Sequence, residues 1–118
     1  MRDDEIADLP LWRLSRMIRS REITSVRLTT IYLERIKAYD EGLCLNSYIF
    51  VARETALAQA AQRDDLTEEG KSLGSLHGVP LALKDNIETE GIRTTGGSSI
   101  LSSHVPRKDA SVVARLIV

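Results

Sequence analysis

The run Gly78-Val79-Pro80-Leu81-Ala82-Leu83-Lys84-Asp85-Asn86-Ile87 concentrates the chemistry that this chain offers. Val79, Leu81 and Leu83 alternate with Pro80, Ala82 and Lys84, which is the period of a strand. On such a strand Lys84 shares a face with the small residues Pro80 and Ala82, beside apolar structure. A lysine held there gives up its proton more readily, because desolvation disfavours the charged form. A neutral lysine is a general base. The spacing alone also fits a strand-ending lysine that points into water, the commoner case. Asp85 and Asn86 read in two ways: as hydrogen-bonding groups that orient the lysine, or as residues of a turn. Successive strand residues face opposite sides, so the Asp85 carboxylate need not touch the ammonium group.

The other reactive side chains carry less. Cys44 has no evident activating neighbour and reads as a buried structural thiol. His77 and His104 are far apart, with no acidic or cysteine ligands clustered near them, so no metal site is expected. Neither glycine fingerprint for phosphate is met.

The elements that must position Lys84 follow from periodicity. Leu9 to Ser20 reads as a first helix, with Asp8 as N-cap, Pro10 in the first turn and Leu11, Leu14 and Ile18 on one face. Arg13, Arg16 and Arg19 lie on other faces as solvated charge. Ser25 to Tyr39 reads as a second helix, opened by Thr24 or Ser25, with an apolar stripe of Leu28, Ile31, Tyr32, Ile36 and Tyr39. Leu45 to Val51 is rich in aromatic and β-branched residues, as a strand is. Ala52 to Asp65 then forms a helix, and Leu66 to Ser75 a loop. A strand followed by such a helix indicates an α/β fold. After Lys84, residues 85–103 read as largely loop, with turns at Gly91, Gly96 and Gly97. Asp109 is a helix cap, with Val112, Val113, Leu116 and Ile117 on one side of the helix. That pattern runs to Val118 without a stop signal, so the sequence reads as part of a longer domain.

Composition bounds the class. The 118 residues are 42% hydrophobic and 28% charged, with sixteen basic and seventeen acidic residues, so no basic excess marks a nucleic-acid surface. No run approaches the ~20 apolar residues of a membrane span, and Met1-Arg2-Asp3-Asp4-Glu5 opens no signal peptide. One cysteine forms no internal disulfide, which fits a reducing, cytoplasmic setting.

The wider segment Gly74-Ser75-Leu76-His77-Gly78-Val79-Pro80, then Lys84-Asp85-Asn86-Ile87, Thr89-Glu90-Gly91, Thr94-Thr95-Gly96-Gly97-Ser98 and Ile100-Leu101, resembles the amidase signature family of serine hydrolases. The match is densest from Leu76 to Leu101. It implies an α/β/α fold, a mixed sheet flanked by helices, of which residues 1–118 are the N-terminal portion. Residues 1–43 would be a helical segment and 44–118 the start of the α/β core. It further implies that Lys84 is the base of a Ser–cis-Ser–Lys triad, with Thr95, Gly97 and Ser98 in a loop near the active site. Gly96-Gly97-Ser98-Ser99 resembles the start of the family's serine-rich signature. Ile100-Leu101 follow in place of further glycine, so Ser98 and Ser99 are not expected to be nucleophiles.

The implied reaction is hydrolysis of a small-molecule amide to acid and ammonia, without cofactor or metal. The triad serines lie further along the family's chain, so these residues alone are expected to be inactive. The resemblance also covers the A subunit of glutamyl-tRNA(Gln) amidotransferase, which would bring a partner subunit where a free amidase would bring a homodimer. Outside the enzyme class, the two N-terminal helices would suit a non-catalytic binding module. No contact with nucleic acid or membrane is expected.

Overall fold

Helical periodicity accounts for most of the N-terminal architecture. The computed structural model describes residues 1–117; Val118, where the expected C-terminal helix pattern ends, lies outside them. The chain divides into one unit over Met1–Pro80 and a second from Leu81 onward.

The first unit holds four α-helices: α1 (Asp3–Ala7), α2 (Leu11–Arg19), α3 (Ser25–Arg35) and α4 (Arg53–Glu68). The sequence reading missed α1. Its first turn, Asp3, Asp4 and Glu5, favours the positive end of the helix dipole, and the Glu5 carboxylate accepts the Arg2 N–H at 2.8 Å. Asp8 therefore closes α1 instead of opening the next helix, and Pro10 is the N-cap of α2. Thr24 opens α3 as expected, and the helix runs on as a π-helical turn over Ile36–Glu41.

Ile6, Leu14, Met17, Ile18, Ile23, Leu28 and Ile31 form the core of this unit, with Ala7, Leu9, Tyr32 and Val79 packed at its edge. Burying each aliphatic side chain contributes about 1.5–3 kcal/mol. Two buried serines tie the helices to the segment before Pro80. Ser15 Oγ donates to the Ser75 carbonyl at 2.5 Å, and Ser25 Oγ to the Gly78 carbonyl at 2.6 Å. Helices α3 and α4 pack together and cap each other. Asp64 of α4 accepts the first two α3 amides, Ser25 at 2.6 Å and Val26 at 3.0 Å, while Thr24 Oγ1 accepts the third, Arg27, at 3.1 Å. In return Arg21, just before α3, donates to the last α4 carbonyls, Thr67 at 3.0 Å and Glu68 at 3.2 Å. Both charges suit the dipole ends that they meet.

Several expectations are corrected. Leu45–Val51 is not a strand: Asn46 has a φ of 54°, and Asp40 takes the Ser47 and Tyr48 amides at 2.6 and 3.2 Å. Those N–H groups are thus used locally, where a strand needs a neighbour to receive them. Cys44, with a φ of 55°, is exposed, because the turn that carries it lies outside the core. Helix α4 starts one residue late and extends three residues further than expected, because its end is capped by Arg21.

The second unit is loop-rich, as its glycines suggested. It contains a short 3₁₀ turn at Ser99–Leu101 and α5 (Ser111–Leu116). Asp109 does not cap α5. Its carboxylate accepts the Glu90 N–H at 2.7 Å, and Ala110 is the N-cap. Leu81 to Lys84 forms no strand, and among the described residues the one β-pairing is an antiparallel bridge between Thr89 and Ile92. The expected mixed sheet is therefore not present among the described residues. A strand is stabilised by a neighbour along its edge, and alternation of side chains supplies none.

Gly78 has a φ of 76°, and a Cβ there would stand 3.1 Å from Ile18 Cγ2 and 3.2 Å from Ser25 Oγ. Gly70 has a φ of 74° with nothing within 4 Å. Both alanine variants bear the cost of left-handed backbone, about 1–2 kcal/mol; only Gly78→Ala adds a steric one. Denaturant unfolding should show Gly78→Ala as the more destabilised variant. Equal losses would mean that the contact with α2 and α3 contributes nothing.

Candidate functional site

Lys84 closes the segment Leu81–Lys84, where Leu81 and Leu83 are 45% and 37% exposed. Lys84 is exposed as well. The expectation that it stands on a sheet face beside Pro80 and Ala82 is therefore corrected, since the strand that would hold it there is absent. Among the described residues its side chain enters no ion pair.

The residues after it are firmly placed. The Ile87 N–H donates to the Lys84 carbonyl at 3.0 Å, so Asp85 and Asn86 are the central pair of a turn. Asn86 is exposed. Asp85 does more than turn the chain. Its carboxylate accepts the Thr95 N–H at 3.0 Å, the Thr95 hydroxyl and the Gly97 N–H at 3.4 Å, and its carbonyl accepts the Gly96 N–H at 2.7 Å. Gly96 and Gly97 have φ values of 59° and 73°, in the left-handed region where glycine is unstrained. Two such residues in a row turn successive amides toward one residue, Gly96 to the Asp85 carbonyl and Gly97 to its carboxylate. Thr94 and Thr95 are buried.

The structure thus joins Asp85, Thr95 and Gly97. Ser98 lies just outside that contact. Its N–H donates to the Thr95 carbonyl at 3.0 Å, and its Oγ accepts the Ile100 N–H at 3.3 Å, which engages the hydroxyl in capping the 3₁₀ turn.

Further contacts close the loop behind this group. The Thr94 N–H reaches the His104 carbonyl at 3.0 Å, the Gly91 N–H the Pro106 carbonyl at 3.0 Å, and the Ala110 N–H the Glu88 carbonyl at 2.8 Å. His104 Nε2 lies 3.0 Å from Glu88 Oε1. The sequence named no partner for His104, because residues sixteen apart across a loop share no periodic signal. His77 is buried and structural. Its Nδ1 accepts the Leu73 N–H at 3.2 Å, and its Nε2 sits 3.0 Å from both the Arg63 carbonyl and Thr67 Oγ1. Nδ1 accepts, so Nε2 carries the proton in the neutral ring.

The hydrogen bonds from Thr95, its hydroxyl first and its amide second, hold the Asp85 carboxyl below the usual carboxylate range. The Gly97 amide and the Arg93 guanidinium act in the same direction, and burial opposes them. A carboxyl whose folded pKa is depressed stabilises the fold above its unfolded value of ~3.9, and the contribution is lost as pH falls through the folded value. Thr95→Val removes the hydroxyl donor at nearly constant size. The Asp85 carboxyl signal in an NMR titration should then move toward the ordinary range. An unchanged midpoint would mean that the hydroxyl does not hold the anion.

Comparison with known proteins identifies the family. The family model described as Amidase matches residues 27–117. The A subunit of glutamyl-tRNA(Gln) amidotransferase from Streptomyces coelicolor is 46% identical over 95% of this chain, and that from Geobacter sp. strain M21 is 43% identical over 95%. The mitochondrial A subunit of the same enzyme from Ornithorhynchus anatinus is 39% identical over 92% of this chain. A crystal structure of PAM12A superposes with a TM-score of 0.78 and 34% identity, covering 92% of this chain and 22% of that one. The chain spans 22%, 22% and 20% of the length of those three curated relatives. No helix among the described residues is long and apolar enough to cross a membrane. With the family match running through both the Lys84 turn and the loop bound to Asp85, the chain belongs to the amidase family.

Proposed function

We propose that these residues are the N-terminal portion of one amidase domain, and that the full-length protein hydrolyses a carboxylic amide to acid and ammonia in the cytoplasm. The reading is carried by one observation: Lys84 lies inside the matched segment 27–117, at the end of Gly-Val-Pro-Leu-Ala-Leu-Lys and next to a hydrogen-bonded anchor. In the whole domain Leu81–Lys84 gains a neighbouring strand, joins the mixed sheet and brings the ammonium group out of solvent. Asp85 and Asn86 stand behind the lysine, and Thr95, Gly97 and Ser98 belong to a loop beside the site.

The chemistry then follows from Lys84 as a base. Its neutral amine takes the proton of a bridging serine, which takes the proton of a nucleophilic serine. That Oγ attacks the amide carbonyl carbon, the C–N bond breaks, and the nitrogen leaves as ammonia with a proton returned along the same path. Water then hydrolyses the acyl-serine ester. The sequence of proton transfers does the work of a Ser-His-Asp triad with other residues.

The similarity to the amidotransferase relatives supports a second reading, in which the amide donor is glutamine and the protein works with partner subunits. Co-purification with such a partner, together with support of glutaminyl-tRNA formation, would select it. A homodimer hydrolysing free amides would select the first.

In the full-length protein Lys84→Ala should lower turnover by roughly 10²–10⁴-fold or more, with the circular dichroism spectrum retained. Lys84→Arg should fail as well, because a guanidinium with a pKa above ~12 keeps its proton at neutral pH. A lysine that only paired with a carboxylate would tolerate arginine. Near-normal turnover in a folded Lys84→Arg protein would contradict the assignment. A polypeptide of these 118 residues should not turn over an aryl amide at all, since triad members act as a unit; turnover abolished by Lys84→Ala would contradict that expectation.

A further inference from the structure

We propose that Asp85 is the positioning residue for Lys84, and that the Thr95–Gly97 loop occupies its carboxylate so that it anchors the backbone beside the base without pairing with the ammonium group. The inference rests on the reading of Lys84 as the catalytic base. Three observations within this one segment carry it. The first is adjacency: Asp85 directly follows Lys84, and the turn closed by the Ile87 N–H and the Lys84 carbonyl fixes both.

The second is that both carboxylate oxygens are engaged by the loop. Thr95 N–H and Gly97 N–H, at 3.0 and 3.4 Å, and the Thr95 hydroxyl converge on its two oxygens, while the Asp85 carbonyl takes the Gly96 N–H at 2.7 Å. Residue 85 is thus held through both side chain and main chain. The third is that Lys84 forms no ion pair among the described residues, although a carboxylate is its sequence neighbour. A carboxylate free to reach the ammonium would favour the protonated lysine and weaken the base. One engaged by the loop supplies rigidity instead.

The loop is built for this task. Thr95 is buried and presents a hydroxyl and an amide to one anion, and Gly96 and Gly97 take left-handed conformations that turn their amides back toward residue 85. The Gly97 N–H also lies 3.1 Å from Thr95 Oγ1, so the threonine hydroxyl is held as it donates to the carboxylate.

The test uses the full-length enzyme and an aryl amide, with kcat, KM and the acid limb of kcat/KM against pH. Asp85→Asn removes the charge and sets an amide against the loop donors. Thr95→Val keeps the charge and removes one donor, which loosens the carboxylate toward Lys84. Both should lower kcat by roughly 10-fold to 100-fold, as a small misplacement of a catalytic group does, with KM within about twofold. The acid limb reports the free-enzyme base. It should move to lower pH in Asp85→Asn, where a negative neighbour is lost, and to higher pH in Thr95→Val, where that neighbour is released. Thr95→Ser restores the donor and should restore the wild-type limb.

A limb that stays in place, or moves the other way, in either folded variant assigns Asp85 a structural role only and overturns the proposal. If Asp85→Asn does not fold, Thr95→Val with its serine rescue decides. Lys84→Ala measured alongside separates the two levels of the argument. A dead Lys84→Ala enzyme with a wild-type limb in Thr95→Val defeats the positioning role alone, whereas an active Lys84→Ala enzyme removes the base and the positioning role together.

Discussion

Backbone amides must find acceptors, and where no sheet supplies them aspartate carboxylates do. Asp64 takes two amides at the start of α3. Asp40 takes those of Ser47 and Tyr48, Asp85 those of Thr95 and Gly97, and Asp109 that of Glu90. Each pins a segment without regular structure or the open end of a helix. A hydrogen bond to a charged acceptor is stronger than one between neutral groups. The Ser47 amide, ahead of smaller effects, also holds the Asp40 carboxyl below its ordinary range. Asp40 and Asp85 thus contribute stability above the ordinary carboxylate pKa that is lost as pH falls through their depressed values.

The same constraint explains why the candidate site is ordered on its loop side. Lys84 is exposed, yet the very next residue is tied to residues ten to twelve positions away. The Gly96-Gly97 pair is needed because two successive amides must turn toward one residue, which left-handed φ values allow. The segment around Gly78 shows a different use of glycine. There the lack of a Cβ lets the backbone approach Ile18 and Ser25, so that Ser25 can reach the Gly78 carbonyl. Family membership fits both features, since Gly78, Lys84, Asp85 and Gly97 all fall in the matched segment.

Much of the helical structure was legible in the sequence, because the stripe Leu28, Ile31, Tyr32 and Ile36 and the cap at Thr24 are local signals. The short helix α1 was missed because Asp8 has the side chain of an N-cap, although here it follows a helix and does not precede one. The two expected strands are not formed among the described residues for a physical reason. Leu45–Val51 and Leu81–Lys84 have the composition and alternation of strands, but a strand also needs a partner edge, which is a non-local property. At the site, Lys84, Asp85 and Thr95 were legible as residues, and the turn at Asp85-Asn86 was one of two readings left open. That Thr95 and Gly97 converge on Asp85 was not legible, since hydrogen bonds between loops leave no periodic trace.

The central claim is that Lys84 is brought to a serine while Asp85 stays bound to its loop. A crystal structure of the full-length protein with a non-hydrolysable amide analogue tests it most directly. The account predicts Lys84 Nζ within hydrogen-bond reach of a serine Oγ, about 2.6–3.2 Å, with the Thr95 and Gly97 amides still on the Asp85 carboxylate. A Lys84 side chain left in solvent, or paired with Asp85 after the loop has let go, would contradict it.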